Sequence, residues 1–247
     1  IKNFVLDALF SPLCVSCRKA VGPAENFVCS DCLGKIKVNN SLFCPVCRAR
    51  VPENKKICHF DCPYLLGAAT DYGDAVIQNI IHFLKYKKIK SLSAAAGEIV
   101  LNYLKNLNLN LDNFMIVPVP LHKRKEFSRG FNQSRLIAEN ISNKFDLSFP
   151  RLPAQAGKRE SSVFQIPVCC ALKRIKNNKQ QAGLKDYDKR KENIKDCFAA
   201  EKPAEISGKN IILVDDVFTS GATMTEAVKV LKKAGARKII ALVVAKA

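Results

Sequence analysis

The sequence lacks any apolar run that approaches the ~20 residues of a membrane-spanning helix. Its first residues also lack a basic segment followed by a long apolar stretch, which is the pattern of a secretory signal. These absences predict a cytoplasmic protein without a membrane span. With 247 residues, of which 48% are hydrophobic, the chain is long enough for one good core and a small additional domain.

Acidic residues are scarce. The chain has 22 Asp and Glu against 40 Lys and Arg, which gives a formal net charge of +18 at pH 7. This excess favours acidic partners: nucleic acid, nucleotides, or an anionic membrane surface to which the protein would bind peripherally at the inner face. A lysine-rich proteome would raise the charge equally, so charge alone does not establish nucleic-acid binding.

Cysteine, in contrast, is concentrated at one end of the chain. Eight of the 11 cysteines lie within the first 62 residues and form four closely spaced pairs, Cys14 and Cys17, Cys29 and Cys32, Cys44 and Cys47, and Cys58 and Cys62. Zinc takes four soft ligands in a tetrahedron, and each pair supplies two from one tight turn. The pattern therefore predicts two structural four-cysteine zinc sites rather than disulfides, because no secretion signal is present.

The pairing of these ligands stays open at this point. The sequential assignment puts the first two pairs on one ion and the last two on the other, whereas an interleaved cross-brace has the same spacing. His59 could replace one ligand, but we expect cysteines. Cys169, Cys170 and Cys197 fall outside the pattern and are predicted to be buried, inert thiols.

Residues 211–225 carry the most informative motif. Ile211 to Val214 is an apolar run typical of a strand buried on both faces of a parallel sheet. Asp215 and Asp216 follow at its carboxyl end, where open α/β sheets bind ligands. The next residues supply backbone N–H groups and hydroxyls at a helix start and so predict an anion site: Thr219, Ser220, Gly221, Ala222 and Thr223. An ordinary capped helix start would not need two adjacent acids before such a loop.

The remaining periodicity completes an α/β pattern. After the motif we expect a helix that ends at Gly235 and a strand from Lys238 to Ala245, which makes a βαβ unit. Earlier segments are predicted as two helices (Tyr72–Lys90 and Glu98–Leu107), a strand (Phe114–Pro120), a basic mobile loop that contains His122, and a helix (Asn132–Phe145). A second basic stretch, Lys173–Lys195, has nine Lys and Arg against three Asp and Glu but no aromatic ladder for stacking.

The motif at 211–225 resembles the phosphoribosyl diphosphate (PRPP) signature of type I phosphoribosyltransferases. Further segments make the whole chain similar to the ComF family of competence proteins: Leu84-Lys85-Tyr86, Val117-Pro118-Val119-Pro120, Arg129-Gly130-Phe131-Asn132-Gln133-Ser134, and Gln181 to Leu184 followed by Arg190 and Asn193. The resemblance implies an α/β protein with a parallel-sheet type I phosphoribosyltransferase fold and a hood, over 67–247. A small Cys-rich zinc-ribbon domain would precede it over 1–66.

The resemblance also implies roles for single residues. Asp215 and Asp216 would contact the ribose hydroxyls and favour the developing cation, as the catalytic pair. The loop Thr219–Thr223 would hold the 5′-phosphate, and Lys85 and Tyr86 would lie at the diphosphate. Magnesium would accompany PRPP. Further implied positions are Arg129, Gly130, Asn132 and Gln133 in a flexible loop that closes over PRPP, although Asn132 could equally cap a helix, and the 173–195 stretch in the hood.

Three functions fit these expectations. The first is a PRPP-binding, phosphoribosyltransferase-like competence protein that takes up or handles single-stranded DNA in natural transformation, with DNA-uptake machinery such as a helicase as partner. The second is a non-catalytic nucleic-acid adaptor that senses PRPP. The third is a metabolic phosphoribosyltransferase for a free base, although no base pocket can be identified in the sequence.

Overall fold

The computed structural model describes residues 12–22, 25–51, 59, 61–107, 109–148, 165–177 and 194–247. Its helices are α1 (Ser30–Gly34), α2 (Ala75–Tyr86), α3 (Leu92–Leu107), α4 (Lys123–Arg129), α5 (Gln133–Ser148), α6 (Pro203–Ile206) and α7 (Ala222–Lys233). Its strands are β1 (Leu42–Phe43), β2 (Arg50–Val51), β3 (Leu65–Asp71), β4 (Phe114–Pro118), β5 (Leu172–Arg174), β6 (Phe198–Ala200), β7 (Asn210–Phe218) and β8 (Ile239–Lys246).

Six of the strands form one mostly parallel sheet in the order β2-β1-β3-β8-β7-β4. Strands β3, β8, β7 and β4 run parallel to one another. The short hairpin β1–β2 comes from the Cys-rich segment and joins β3 in antiparallel register. The predicted α/β class with a parallel sheet is therefore confirmed, and the Cys-rich segment is continuous with that sheet at its β3 edge.

The parallel strands are apolar because helices or loops cover both faces of the sheet. Along β7, Ile212 and Val214 join the core that α2, α3 and α5 share. Ile211 and Leu213 point to the other face and join the core beneath α7 and the small sheet β5–β6. Successive side chains of a strand alternate between faces, so an unbroken apolar run is what such a position needs.

Several helix boundaries differ from the predicted ones for local reasons. Helix α2 begins at Ala75 rather than Tyr72 because the carboxylate of Asp74 caps it, accepting from the N–H groups of Val76 and Ile77. Helix α3 begins at Leu92, earlier than the predicted Glu98.

The prediction of a mobile loop before α5 is wrong, since Lys123–Arg129 forms the short helix α4. His122, expected to be a surface-loop residue, caps the start of α4 because its Nδ1 accepts from the Arg124 N–H at 3.2 Å. Gly130 ends α4 in the left-handed conformation, with φ of 81°.

The segment between α5 and β7 also departs in part from expectation. The antiparallel pair β5–β6 forms a second, two-stranded sheet whose strands lie at the two ends of the stretch 173–195 that was predicted for the hood. Cys169 and Cys197 are buried as predicted, but Cys170 is exposed, which corrects that expectation. The expected elements Gln181 to Leu184, Arg190 and Asn193 lie outside the described residues. Among the helices that the structure describes, none has the length and apolar character to cross a membrane.

Candidate functional site

The two acids lie near the carboxyl end of β7, beyond the point where its neighbour stops. The last register pair between β4 and β7 is Pro118 with Val214. Strand β7 itself continues to Phe218, so Asp215 and Asp216 lie inside the strand rather than after it. Because β4 has ended, the sheet is open beside them, which is where open α/β sheets bind ligands.

Asp215 is fixed by two donors. Its Oδ1 accepts from the Ser134 hydroxyl at 2.7 Å and from the Asp216 main-chain N–H at 2.9 Å. Burial, and then the charge of Asp216, raise the pKa of Asp215 to about 6, although the Ser134 hydrogen bond and Lys85 act in the opposite direction. Asp215 is thus held in one orientation in a site that disfavours its charge.

Asp216 forms an ion pair across the site. Its Oδ1 lies 2.8 Å from the Nζ of Lys85, and the exposed fractions of the two side chains are 5% and 20%. Burial lowers the pKa of Lys85, but the charge and hydrogen bond of Asp216 outweigh this effect and raise it, so Lys85 stays cationic. The second oxygen of Asp216, Oδ2, is buried and has no partner among the described residues. A buried carboxylate oxygen of this kind needs a donor or a cation.

The loop after β7 turns sharply into α7. Gly221 adopts the left-handed conformation with φ of 79°, and a Cβ atom there would meet the Phe218 ring at 2.6 Å. The hydroxyl of Ser220 accepts from the Ala222 N–H at 3.4 Å. This close turn requires glycine, and it leads directly into the positive end of α7.

These features surround a cavity of about 360 Å³. Of the residues predicted to bind PRPP, seven line it: Lys85, Tyr86, Arg129, Asp215, Asp216, Thr219 and Thr223. Ser220 and Ala222 instead line a neighbouring cavity of about 560 Å³ beside Cys62. Gly221 lies buried between these residues in the same loop.

Two further cationic side chains, to which we assigned no role from the sequence, line the same cavity. Lys125, from α4, and Arg174, from β5, lie there beside the predicted Arg129. Burial, followed by repulsion from Arg174 and Arg129, lowers the pKa of Lys125. Burial also lowers the pKa of Arg174. Mutually repelling cations beside two acids suit a ligand that carries negative charge at one end and hydroxyl groups at the other.

The first cysteine group has the geometry of a zinc site. The sulfur atoms of Cys14, Cys17, Cys29 and Cys32 all lie within 4.8 Å of one another, and those of Cys17 and Cys29 are 3.5 Å apart. A tetrahedron with Zn–S bonds of ~2.3 Å has edges of ~3.8 Å, so these residues fit the ion. The grouping matches the sequential assignment. Burial raises the pKa of Cys14, but N–H donors, led by those of Cys17 and Cys29, outweigh burial and hold the pKa at about 6.

The second group has a different composition from the predicted one. It brings Cys44 and Cys47 together with His59, and the Nδ1 atom of His59 lies 3.5 Å from the Cys44 sulfur. Cys62 is outside this group, and Cys58 lies outside the described residues. His59 is therefore a candidate ligand, although from the sequence we expected a cysteine in that place.

Comparison with known proteins agrees with this two-part arrangement. Residues 5–62 match the family model of the double zinc ribbon domain, and residues 134–247 match that of the phosphoribosyl transferase domain. Competence protein F of Haemophilus influenzae is 26% identical over 239 residues, which cover 93% of this chain and 95% of the relative. The chain is thus similar to Competence protein F over nearly its whole length, with a double zinc ribbon domain followed by a phosphoribosyl transferase domain.

Other relatives also match most of the chain. DNA utilization protein YhgH of Escherichia coli K12 is 26% identical over 92% of the chain and 93% of its own length. Competence protein ComFC of Bacillus subtilis is 26% identical over 84% of the chain and 79% of its own length. The double zinc ribbon match and the four-cysteine group together indicate zinc binding.

Proposed function

We propose that this chain binds PRPP at the open end of β7 and acts as a phosphoribosyltransferase-like competence protein that handles single-stranded DNA. The observation that carries the proposal is the Asp215–Asp216 pair, which lines one cavity together with the cationic side chains of Lys125, Arg129 and Arg174. Asp216 is buried, and its Oδ2 has no partner among the described residues. A sugar phosphate supplies both complements, hydroxyl donors for the acids and phosphates for the cations. The role in competence follows from the names of the relatives.

The residues along the cavity would each contact a different part of PRPP. Asp215 and Asp216 would accept from the ribose hydroxyls, and the loop Thr219–Thr223 would bind the 5′-phosphate through its N–H groups. The cations Arg129 and Lys125 would face the diphosphate. Tyr86, half exposed at the cavity wall, would cover the ligand from the side of α2.

In a transfer reaction, the bond between the anomeric carbon and the diphosphate oxygen breaks, and a bond from that carbon to an acceptor atom forms. The acceptor loses a proton, and diphosphate leaves. The chain contributes binding, orientation and charge: the acids favour the positive charge that develops on the sugar, and the cations favour the leaving diphosphate. Asp215 and Asp216 fit a magnesium ion as oxygen donors, and magnesium would neutralise diphosphate charge when bound.

One experiment separates catalysis from sensing. PRPP and Mg²⁺ are incubated with the zinc-loaded chain, with and without single-stranded DNA, and released diphosphate is measured alongside PRPP affinity by calorimetry. The control is the double variant Asp215→Asn plus Asp216→Asn. We expect release above the control level. PRPP binding without any such release would favour the adaptor that senses PRPP over the enzyme. Release that depends on a free base would favour the metabolic enzyme. Absence of PRPP binding would overturn the proposal.

We further propose that the chain carries two zinc ions in a reducing, cytoplasmic setting. Zinc content of the purified chain should be two per molecule, and Cys17→Ser should remove one. The matched control is Cys170→Ser, because Cys170 is an exposed cysteine outside both groups. Unchanged zinc content in Cys17→Ser would contradict the assignment.

A further inference from the structure

Helix α4 exposes a large aromatic side chain. None of the seven residues of α4 is buried. Phe127 exposes 91% of its surface, whereas the other large apolar side chains classed as exposed among the described residues keep about half covered: Leu13, Val46, Tyr86 and Ile175 at 51–59%. Single exposed apolar residues are common on proteins, so the surroundings of Phe127 must decide what its exposure means.

Helical spacing divides α4 into two basic faces. Lys125 and Arg129 are one turn apart and line the cavity described above. Phe127 lies about 200° away from each of them around the helix axis. Lys123 and Arg124, four and three residues earlier, share the side of Phe127, and both are exposed. The cations of α4 thus serve the cavity on one side and flank an aromatic ring on the other.

We propose that the outer face of α4, formed by Lys123, Arg124 and Phe127, binds single-stranded nucleic acid on the side of the helix that faces away from the cavity. The inference rests on the proposed role in handling DNA and names the surface that would perform it. Lysine and arginine neutralise backbone phosphates, and an aromatic ring stacks on any base, whatever the sequence. The net charge of +18 adds long-range attraction for a polyanion.

The composition of the outer face favours a single strand over other anionic partners. In a duplex the faces of the bases are covered by stacking, so an exposed ring at a helix surface has no base to stack on. A membrane-bound helix needs a broad apolar face, and Phe127 is the single apolar residue among the seven of α4. The outer face therefore combines point cations with one stacking platform, which is the chemistry of single-strand binding.

The same helix would then contact two ligands on opposite sides. A strand held on the outer face would be separated from the cavity by the helix, while Lys125 and Arg129 remain directed into the cavity. Substitutions on the outer face should accordingly change DNA affinity without changing PRPP affinity.

The test measures anisotropy of a fluorescein-labelled oligothymidylate, and of a matched duplex, with the full zinc-loaded chain over a range of salt concentrations. Phe127→Ala should lower single-strand affinity at least about fivefold, and Phe127→Tyr should retain it, because stacking supplies the contact. Lys123→Gln plus Arg124→Gln should reduce the slope of log affinity against log salt by about 1.4. The control is Lys209→Gln plus Arg237→Gln, an exposed pair beside the amino-terminal ends of β7 and β8.

Each outcome supports or overturns the proposal. Loss of single-strand affinity in the outer-face variants, with normal PRPP binding and an unaffected control pair, supports the proposal. The proposal is overturned if Phe127→Ala has the single-strand affinity of the wild type, or if the control pair weakens that affinity equally. It is also overturned if the wild-type chain prefers the duplex. If the wild-type chain binds PRPP but no single strand, the DNA role in the proposed function fails together with this surface, whereas the PRPP site stands.

Discussion

The guanidinium group of Arg48 donates from Nη2 to the main-chain oxygen of Thr219 at 2.6 Å, and from Nη1 to that of Ala247. Arg48 directly follows Cys47 of the second cysteine group and has a left-handed backbone, with φ of 60°. The hydroxyls of Tyr64 and Thr225 make a second link, at 3.1 Å. Arg48 of the zinc-ribbon segment therefore holds the loop Thr219–Thr223 at its start, and Tyr64 contacts the first turn of α7.

This relationship predicts that Arg48 supports PRPP binding without touching the ligand. Arg48→Ala should weaken PRPP binding about fivefold, because a charged donor no longer fixes the Thr219 carbonyl. The matched control is Arg50→Ala, since Arg50 is an exposed arginine of the same ribbon, in β2. Calorimetric titration with PRPP gives both affinities. Equal affinities in the two variants would show that the ribbon does not position the loop.

The ion pair between Lys85 and Asp216 predicts a strongly coupled double-mutant cycle. Lys85→Met should lower the free energy of unfolding by ~3–5 kcal/mol, because it leaves the Asp216 charge buried and unpaired. Adding Asp216→Asn should restore most of that loss. Urea unfolding measures each step, and Arg135→Met, which breaks the exposed pair with Glu139, should cost less than ~1 kcal/mol. Additive effects of the two core substitutions would argue against the pair.

Local signals explain which parts of this site could be predicted from the sequence. Strand β7, its two acids and the Gly221 loop were recognisable because all their determinants lie within about a dozen consecutive residues. Helix α4 was missed because a short, highly charged segment has no apolar periodicity, and its caps, His122 and Gly130, become visible only in three dimensions.

Contacts between distant segments could not be predicted. Ser134 bonds to an acid 81 positions later, and Arg48 reaches a carbonyl 171 positions away. Arg174 enters the cavity from a second sheet whose pairing the sequence does not show. Such partners are set by the assembly of the fold, so residue spacing carries no signal for them.

The raised pKa of Asp215 makes stability depend on pH with a definite sign. A carboxyl whose pKa is about 6 in the folded chain, above the ~3.9 of an unfolded chain, binds protons more tightly when folded. It therefore stabilises the folded state fully below the unfolded pKa, and that stabilisation is lost as pH rises through about 6. The stability of Asp215→Asn relative to the wild type should consequently rise between pH ~4 and ~6.5 and level off near ~3 kcal/mol above that range. Urea unfolding across this range checks the prediction, and a constant difference between the two proteins would contradict it.

A side chain added at Gly221 would meet two independent costs, one from the backbone conformation and one from a steric clash. Its φ of 79° disfavours any side chain, and a Cβ atom would lie 2.6 Å from the buried Phe218 ring. Gly221→Ala should therefore destabilise the chain by more than the ~1–2 kcal/mol of a left-handed alanine and should abolish PRPP binding, since the loop must move. Gly208→Ala isolates the first cost, because Gly208 has φ of 73° with nothing within 4 Å of the added atom. Adding Phe218→Leu to Gly221→Ala should recover part of the excess loss. If Gly208→Ala and Gly221→Ala unfold at the same urea concentration, the close approach to Phe218 does not constrain the loop.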